Sequence, residues 1–190
     1  MSLILLGILN SQAAAAGGAG AYDLLETQVL SSSAASVTFT GLDSYTDYKH
    51  LQVRYTARSD DGNTLYFRAN GDSGSNYSRH HLGTSGSSVS SGSGTSQTYV
   101  RAMFPLANTS NSTSIFGAGV MDILDFSNSS KNTTVRALSG TWQASGFNSG
   151  FYLNSGAWLN TNAVTSIQFI PSAGNLVAGS RFSLFGIKGA

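Results

Sequence analysis

The chain contains no cysteine among its 190 residues. This absence excludes disulfides, thiol nucleophiles and cysteine-ligated zinc. Since small secreted proteins often depend on disulfides, it also favours synthesis in a reducing cytosol. Charged residues make up only 10% of the sequence, against about 25% in typical soluble domains. The formal net charge is +1 and the arginines are scattered along the chain, so we expect no nucleic-acid partner.

The chain has no lysine or arginine before Lys49, and its first 20 residues are unlike the rest. An apolar run over residues 2–9 precedes a Gly/Ala-rich tether that ends at Gly20. A secretory signal peptide would begin with basic residues, and about eight apolar residues are too few for a bilayer span of about 20. We therefore predict no membrane insertion and an N-terminal arm on residues 1–20, a short helix or a hook, that docks on a partner. The anchoring side chains would be Leu3, Ile4, Leu5, Leu6, Ile8 and Leu9.

Alternation of apolar and polar residues predicts β-strands in the remainder of the chain. In residues 49–58 one set of alternate positions is apolar and the other polar: Leu51, Val53, Tyr55 and Ala57 against His50, Gln52, Arg54, Thr56 and Arg58. A period of two is typical of a half-buried strand. Residues 65–69 and 76–82 continue the alternation after turns rich in Asp, Asn and Gly. We expect these three strands to form an antiparallel meander.

The whole of residues 21–190 reads as about nine to eleven short strands without a long helix. This pattern predicts an all-β domain, a jelly-roll-like antiparallel β-sandwich. Residues 83–96 are almost wholly Gly, Ser and Thr, which predicts a long mobile loop. Residues 115–126 are apolar on both faces, so they fit either a central strand or a short helix.

The sequence offers few combinations of carboxylates and histidines that could form a catalytic or metal-binding site. Asp122 and Asp125 form the one carboxylate pair in an apolar segment, but a spacing of three in a strand places them on opposite faces, unlike the opposed pair of a glycosidase. His80 and His81 are adjacent and point to opposite faces, and His50 could approach one of them without a third ligand. We therefore expect no catalytic residue, no metal, no cofactor and no enzymatic activity.

Aromatic side chains are the remaining candidates for binding. Trp142, Tyr152 and Trp158 occur in or beside predicted strands near the C-terminal end of the chain. Such rings stack on sugars, fill subunit interfaces or simply pack in the core. The sequence leaves these three roles open.

The C-terminal string GSRFSLFGIKG, residues 179–189, resembles the C-terminal signature of a family of small tailed-phage proteins found in phages of cyanobacteria and other aquatic bacteria. Similar strings occur in the same order at residues 20–27, 48–52, 70–72, 122–125 and 130–136. The resemblance implies a virion structural protein made in the host cytoplasm, not an enzyme. It transfers no catalytic residue.

Two virion roles follow from this resemblance. The first is a capsid decoration or cement protein, a homotrimer whose N-terminal arm clamps onto the major capsid protein. The second is a short tail fibre or baseplate appendage, with the arm docked on tail or baseplate proteins and the loops binding host surface glycan. A third possibility, an enzyme acting on cell-wall polysaccharide, is disfavoured by the carboxylate spacing.

Overall fold

The computed structural model describes residues 21–142 and 149–189. The predicted arm on residues 1–20, with its six anchoring side chains, lies outside the described residues. Within the described ranges no helix is long and apolar enough to cross a bilayer. The regular elements are β1 (Tyr22–Val29), β2 (Val37–Thr40), a 3-10 turn (Leu42–Ser44), β3 (His50–Ala57), β4 (Leu65–Ala69), β5 (Tyr77–Ser85), β6 (Ser88–Gln97), β7 (Val100–Met103), β8 (Gly117–Leu124), β9 (Thr133–Thr141), β10 (Gly150–Trp158), β11 (Ser166–Pro171) and β12 (Arg181–Ile187).

The strands form two antiparallel sheets that enclose one hydrophobic core. The large sheet has the order β1-β12-β3-β8-β9-β10-β5-β6, and the small sheet has the order β2-β11-β4-β7. Aromatic rings join the two layers: Phe169 of the small sheet lies 5.7 Å from Tyr55 and 5.3 Å from Phe182 of the large sheet, measured between ring centroids. The predicted all-β, jelly-roll-like antiparallel sandwich is confirmed.

The predicted meander of three consecutive strands is wrong. β3 and β5 belong to the large sheet, whereas β4 lies in the small sheet between β11 and β7. The turn after β3 crosses between the sheets and is held there by Asp60, whose carboxylate accepts a hydrogen bond of 2.7 Å from the backbone N–H of Asn175. Alternation shows that a strand buries one face, but both sheets bury a face in the same core. The pattern therefore does not assign a strand to a sheet.

The mobile loop predicted at residues 83–96 is also wrong, because this segment is a β-hairpin. β5 continues to Ser85 and pairs with β6, which starts at Ser88 and forms the edge of the large sheet. Gly86 occupies the turn with a φ of +60°, a conformation that favours glycine. A ladder of backbone hydrogen bonds requires no large side chains, so a Gly/Ser-rich segment can be a strand when its neighbour supplies the packing.

Two further predictions on the large sheet are settled by burial and position. Residues 115–126 contain the strand β8, which lies between β3 and β9 with Met121 and Ile123 buried; the strand alternative is correct.

Arg58, predicted on the solvent face with Arg54, is buried. Its guanidinium donates hydrogen bonds to the backbone carbonyls of Asn111, Ser112 and Ile115. β3 ends at Ala57, so the alternation no longer applies to Arg58.

Candidate functional site

The outer face of the large sheet, which points away from the small sheet, carries a continuous row of apolar side chains. The strand registers align Val120, Leu138, Leu153 and Leu82 across β8, β9, β10 and β5. The neighbouring row places Phe151 of β10 beside Thr84 and Val89. We call the set Val120, Leu138, Leu153, Leu82, Phe151 and Val89 the apolar stripe.

The apolar stripe is exposed to solvent. Five of its six members, all except Val120, expose between 47% and 75% of their surface. Single exposed hydrophobic residues are ordinary on proteins, but contiguous ones are rare on soluble monomers and mark surfaces that another molecule covers. The stripe is therefore the strongest candidate for an interaction surface on the described part of the chain.

A groove of about 580 Å³ runs along one end of the stripe. Val120, Leu138 and Phe151 form its apolar walls, with Arg54 and Arg181 at its rim. Its lining also includes Ala118 and Gly140, which are aligned across β8 and β9. Small residues on two adjacent strands leave a depression between the larger side chains. The groove thus has the form of an apolar trough with a cationic border.

The two rim arginines differ in how they are held. The guanidinium of Arg54 lies 5.0 Å from the Phe185 ring centroid, and its Nε donates a 2.9 Å hydrogen bond to Gln52. Arg181 is exposed and has no ion pair among the described residues. Arg136, on the same face, is neutralised by Asp122 at 2.8 Å. The stripe itself contains no charged side chain, so an apolar partner meets no desolvated charge there.

The carboxylates Asp122 and Asp125 do not form a catalytic pair. Asp122 accepts hydrogen bonds from Arg136 and Gln52, while Asp125 accepts one from Lys131. That hydrogen bond, with the nearby cationic charge, holds the pKa of Asp125 below its ordinary value. Each carboxylate is thus paired with a different basic residue, Asp122 with Arg136 and Asp125 with Lys131.

The histidines do not converge. β8, β9 and β10 separate His50 on β3 from His80 and His81 on β5. The Nδ1 atom of His50 accepts a 2.9 Å hydrogen bond from the backbone N–H of Asp125. Among residues 21–142 and 149–189, no three His, Asp or Glu side chains are placed to hold a metal ion.

The three candidate aromatics have different surroundings. Trp142 follows β9 and exposes 75% of its surface. Tyr152 and Trp158 are buried, so their nomination as glycan or interface aromatics is wrong. Both occupy inward-facing positions of β10, and the Trp158 indole donates a 2.7 Å hydrogen bond to the Asp72 carboxylate.

Sequence reasoning includes Phe151 among the candidate binding aromatics but misses Leu153, and both face outward on β10. Phe151, Tyr152 and Leu153 are consecutive and all apolar or aromatic, so alternation alone does not say which of them point into the core. The strand register decides it, because Asn154 and Trp158 share the inward face with Tyr152. Continuous apolar strands are ambiguous for this reason.

No family model matches this chain, and no curated protein sequence matches it. Among solved structures, the CBM40 module of a Ruminococcus gnavus IT-sialidase bound to alpha2,3 sialyllactose matches with a TM-score of 0.35 and 6% sequence identity. The match covers 85% of this chain and 91% of that chain. At this identity and TM-score, the likeness assigns neither a family nor a ligand to the protein.

Proposed function

We propose that the protein is a structural subunit of a tailed-phage virion, most specifically a capsid decoration or cement protein. Three copies associate through the apolar stripe, and residues 1–20 anchor the trimer to the major capsid protein. The observation that carries the proposal is the uncovered stripe on the large sheet. The resemblance of residues 179–189 to the tailed-phage signature supports the virion setting.

The size of the outer face supports a stable subunit interface. Eight strands at about 4.8 Å spacing give a width of about 38 Å, and strands of about eight residues give a length of about 26 Å. The face therefore covers about 1,000 Å², which is comparable with the roughly 800 Å² that each partner buries in a standard interface. Burial of apolar area contributes about 25 cal/mol per Å², and the surplus over the entropic cost of association stabilises the oligomer.

The oligomer is tested by replacing stripe leucines with a polar residue. The double variant Leu138→Gln/Leu153→Gln removes two central members of the stripe, whereas Leu24→Gln changes a comparably exposed leucine on the edge strand β1. Sedimentation velocity is expected to give a trimer for the parent protein and for Leu24→Gln, and a monomer for the double variant. An unchanged mass for the double variant would show that the stripe is not the interface.

The virion role is tested on particles. Deletion of residues 1–20 is expected to leave a folded domain that no longer joins particles, and retained incorporation would contradict the anchoring role. Quantitative mass spectrometry then gives the copy number. Copies on the order of hundreds per particle support decoration of a capsid lattice, whereas about six or twelve trimers support a tail position.

The exposed indole of Trp142 favours a second candidate, a short tail fibre or baseplate appendage that binds host surface glycan. Exposed aromatic rings provide flat apolar surfaces for sugars. A glycan array is expected to show hits that Trp142→Ala abolishes and that Tyr22→Ala, an exposed aromatic on β1, retains. An array without hits would leave decoration as the proposed role.

A further inference from the structure

A group of basic residues lies on the inner side of the large sheet, where β7 covers β5 and β10. Arg79 and His81 occupy inward-facing positions of β5, as their register with β10 shows. Arg101 belongs to β7, the edge strand of the small sheet. The two sheets approach closely here, since a Cβ atom on Gly156 of β10 would lie 2.9 Å from the Val100 side chain. We call Arg79, His81 and Arg101 the basic corner.

No ion pair of the described residues gives the basic corner a counter-charge. None of the four ion pairs of the described residues involves Arg79 or Arg101. The Nε of Arg79 donates to a neutral acceptor, the amide oxygen of Gln97, at 3.0 Å. Burial and the positive charges of Arg101 and Arg79 lower the pKa of His81. Like charges held together in a partly buried site are unfavourable unless an anion joins them.

Several polar atoms at the basic corner have no hydrogen-bond partner among the described residues. They are Nε of Arg101, Nδ1 of His81, and both Nδ2 and Oδ1 of Asn154. Asn154 is only 1% exposed and lies directly opposite His81 on the adjacent strand. Native proteins rarely leave buried donors and acceptors unpaired, so each such atom indicates a missing partner.

Aromatic rings hold the arginine heads in place. The Arg101 guanidinium lies 4.7 Å from the Phe104 ring centroid, and the Arg79 guanidinium lies 5.7 Å from that of Tyr99. Tyr99 in turn stacks on Tyr66 with their centroids 3.6 Å apart. Contacts of this kind pre-orient a guanidinium and leave N–H groups free for a ligand.

The basic corner is open to a small ligand. Arg79, His81 and Arg101 are all partly exposed, and no strand of the described residues pairs with the outer edge of β7. Glycines in β6 preserve the space, since a Cβ atom on Gly92 would lie 2.6 Å from the His81 ring. The inner face of the β5–β6 hairpin is thus a shallow floor beneath the basic side chains.

We propose that the basic corner binds an oxyanion, a carboxylate or phosphate group, that carries a neighbouring hydroxyl group. Arginine N–H groups pair with such oxygens through charge-assisted hydrogen bonds, and His81 supplies a further N–H donor. The Asn154 amide both donates and accepts, so its Oδ1 takes the hydroxyl hydrogen of the ligand. Dihydrogen phosphate and sugar acids both present this combination.

The first experiment is thermal unfolding of the full chain in increasing inorganic phosphate, with chloride at matched ionic strength as the reference. A ligand that binds only the folded state raises Tm as its concentration increases. We expect this rise in the parent protein and in Arg136→Gln, which loses the same charge from the outer face. We expect at least a tenfold weaker response in Arg101→Gln. Equal responses of the two variants, or no response of the parent to any probe, would overturn the proposal.

A second set of probes separates the two sources of the oxyanion. Glucuronate and glucose differ in the carboxylate, so a rise in Tm with glucuronate alone assigns the site to a sugar acid. A rise with phosphate alone assigns it to phosphate. Glucose as effective as glucuronate would contradict oxyanion recognition.

NMR titration of His81 provides a readout that does not depend on the stability of a variant. A bound anion offsets the charges of Arg79 and Arg101, which depress the His81 pKa in the free protein. Saturating ligand is therefore expected to move the His81 pKa upward. A His81 titration that is unchanged by ligand would contradict the site.

Discussion

The strands β10 and β5 carry unlike chemistry on their two faces. Outward, Leu153 pairs with Leu82 and both are half exposed. Inward, the next positions pair Asn154 with His81, and the Asn154 amide and Nδ1 of His81 have no hydrogen-bond partner among the described residues. The outer face thus exposes apolar side chains to solvent, where polar ones are usual. The inner face buries polar side chains, where apolar ones are usual. Departures from the ordinary binary pattern mark functional surfaces more often than structural ones.

The two faces also need different partners. An exposed hydrophobic surface is stabilised when any well-fitting apolar surface covers it and removes it from water. Unpaired cations, in contrast, are stabilised by an anion. The apolar stripe therefore fits a macromolecular neighbour of low charge, and the basic corner fits a small charged ligand. β10 contributes Leu153 to the apolar stripe and Asn154 beside the basic corner, so substitutions at adjacent residues separate the two roles.

The largest expected contrast is between Tyr152→Ala and Phe151→Ala. The Tyr152 ring is buried against Phe104 and His81, with centroid distances of 4.8 Å and 5.8 Å, so its loss is expected to lower the free energy of unfolding by about 3–5 kcal/mol. Phe151 is half exposed, and its loss is expected to cost less than about 1 kcal/mol in the monomer.

Urea unfolding at low protein concentration measures this contrast, because dilution suppresses any contribution from subunit association. The matched pair shares one strand and one type of truncation. Equal losses of stability for the two variants would contradict the assignment of opposite faces.

Much of the fold could be predicted because alternation is a local signal. Leu51, Val53, Tyr55 and Ala57 are all buried, as a period of two requires. What could not be predicted depends on pairing between distant strands, such as the placement of β4 in the small sheet. The hairpin partner of β5 was missed because the packing that supports β6 comes from neighbouring strands, not from its own Gly and Ser side chains.

The candidate surfaces were harder to predict than the fold. The apolar stripe requires the registers of five strands, and the basic corner joins Arg79 and His81 of β5 to Arg101 of β7, with Asn154 of β10 beside them. These residues are far apart in the sequence and share no motif. Trp142 is exposed and stays a candidate for binding, whereas the Trp158 indole is occupied by its hydrogen bond to Asp72.

A smaller loss of stability is expected from substitution of Asp72, which accepts a hydrogen bond from Trp158 at the end of β10. Hydrogen bonds from the Trp158 indole and then from Asn76 hold the Asp72 pKa below its ordinary value. Asp72→Ala is expected to lower the free energy of unfolding by about 1–2 kcal/mol at neutral pH, toward the lower end for hydrogen bonds to charged groups because Asp72 is partly exposed.

The contribution of the Asp72 charge to stability depends on pH. A carboxyl group with a depressed folded-state pKa stabilises the protein above its unfolded pKa of about 3.9, and this contribution is lost as pH falls through the folded value. The gap in stability between the parent protein and Asp72→Ala is therefore expected to narrow below about pH 4. Chemical unfolding from pH 7 to pH 3 measures it, with Asp43→Ala as the control. A gap that stays constant would contradict the role of the Asp72 charge.

The smallest expected change in the free energy of unfolding has opposite signs for an arginine of the basic corner and for one on the outer face of the large sheet. Arg101 is a partly buried cation without an acidic partner among residues 21–142 and 149–189, so Arg101→Met is expected to raise the free energy of unfolding of the ligand-free protein by about 1 kcal/mol. Arg136 forms an exposed ion pair with Asp122, so Arg136→Met is expected to lower it by up to about 1 kcal/mol. Urea unfolding in phosphate-free buffer measures both. A loss of stability in Arg101→Met would indicate that the basic corner already has its partner within the chain.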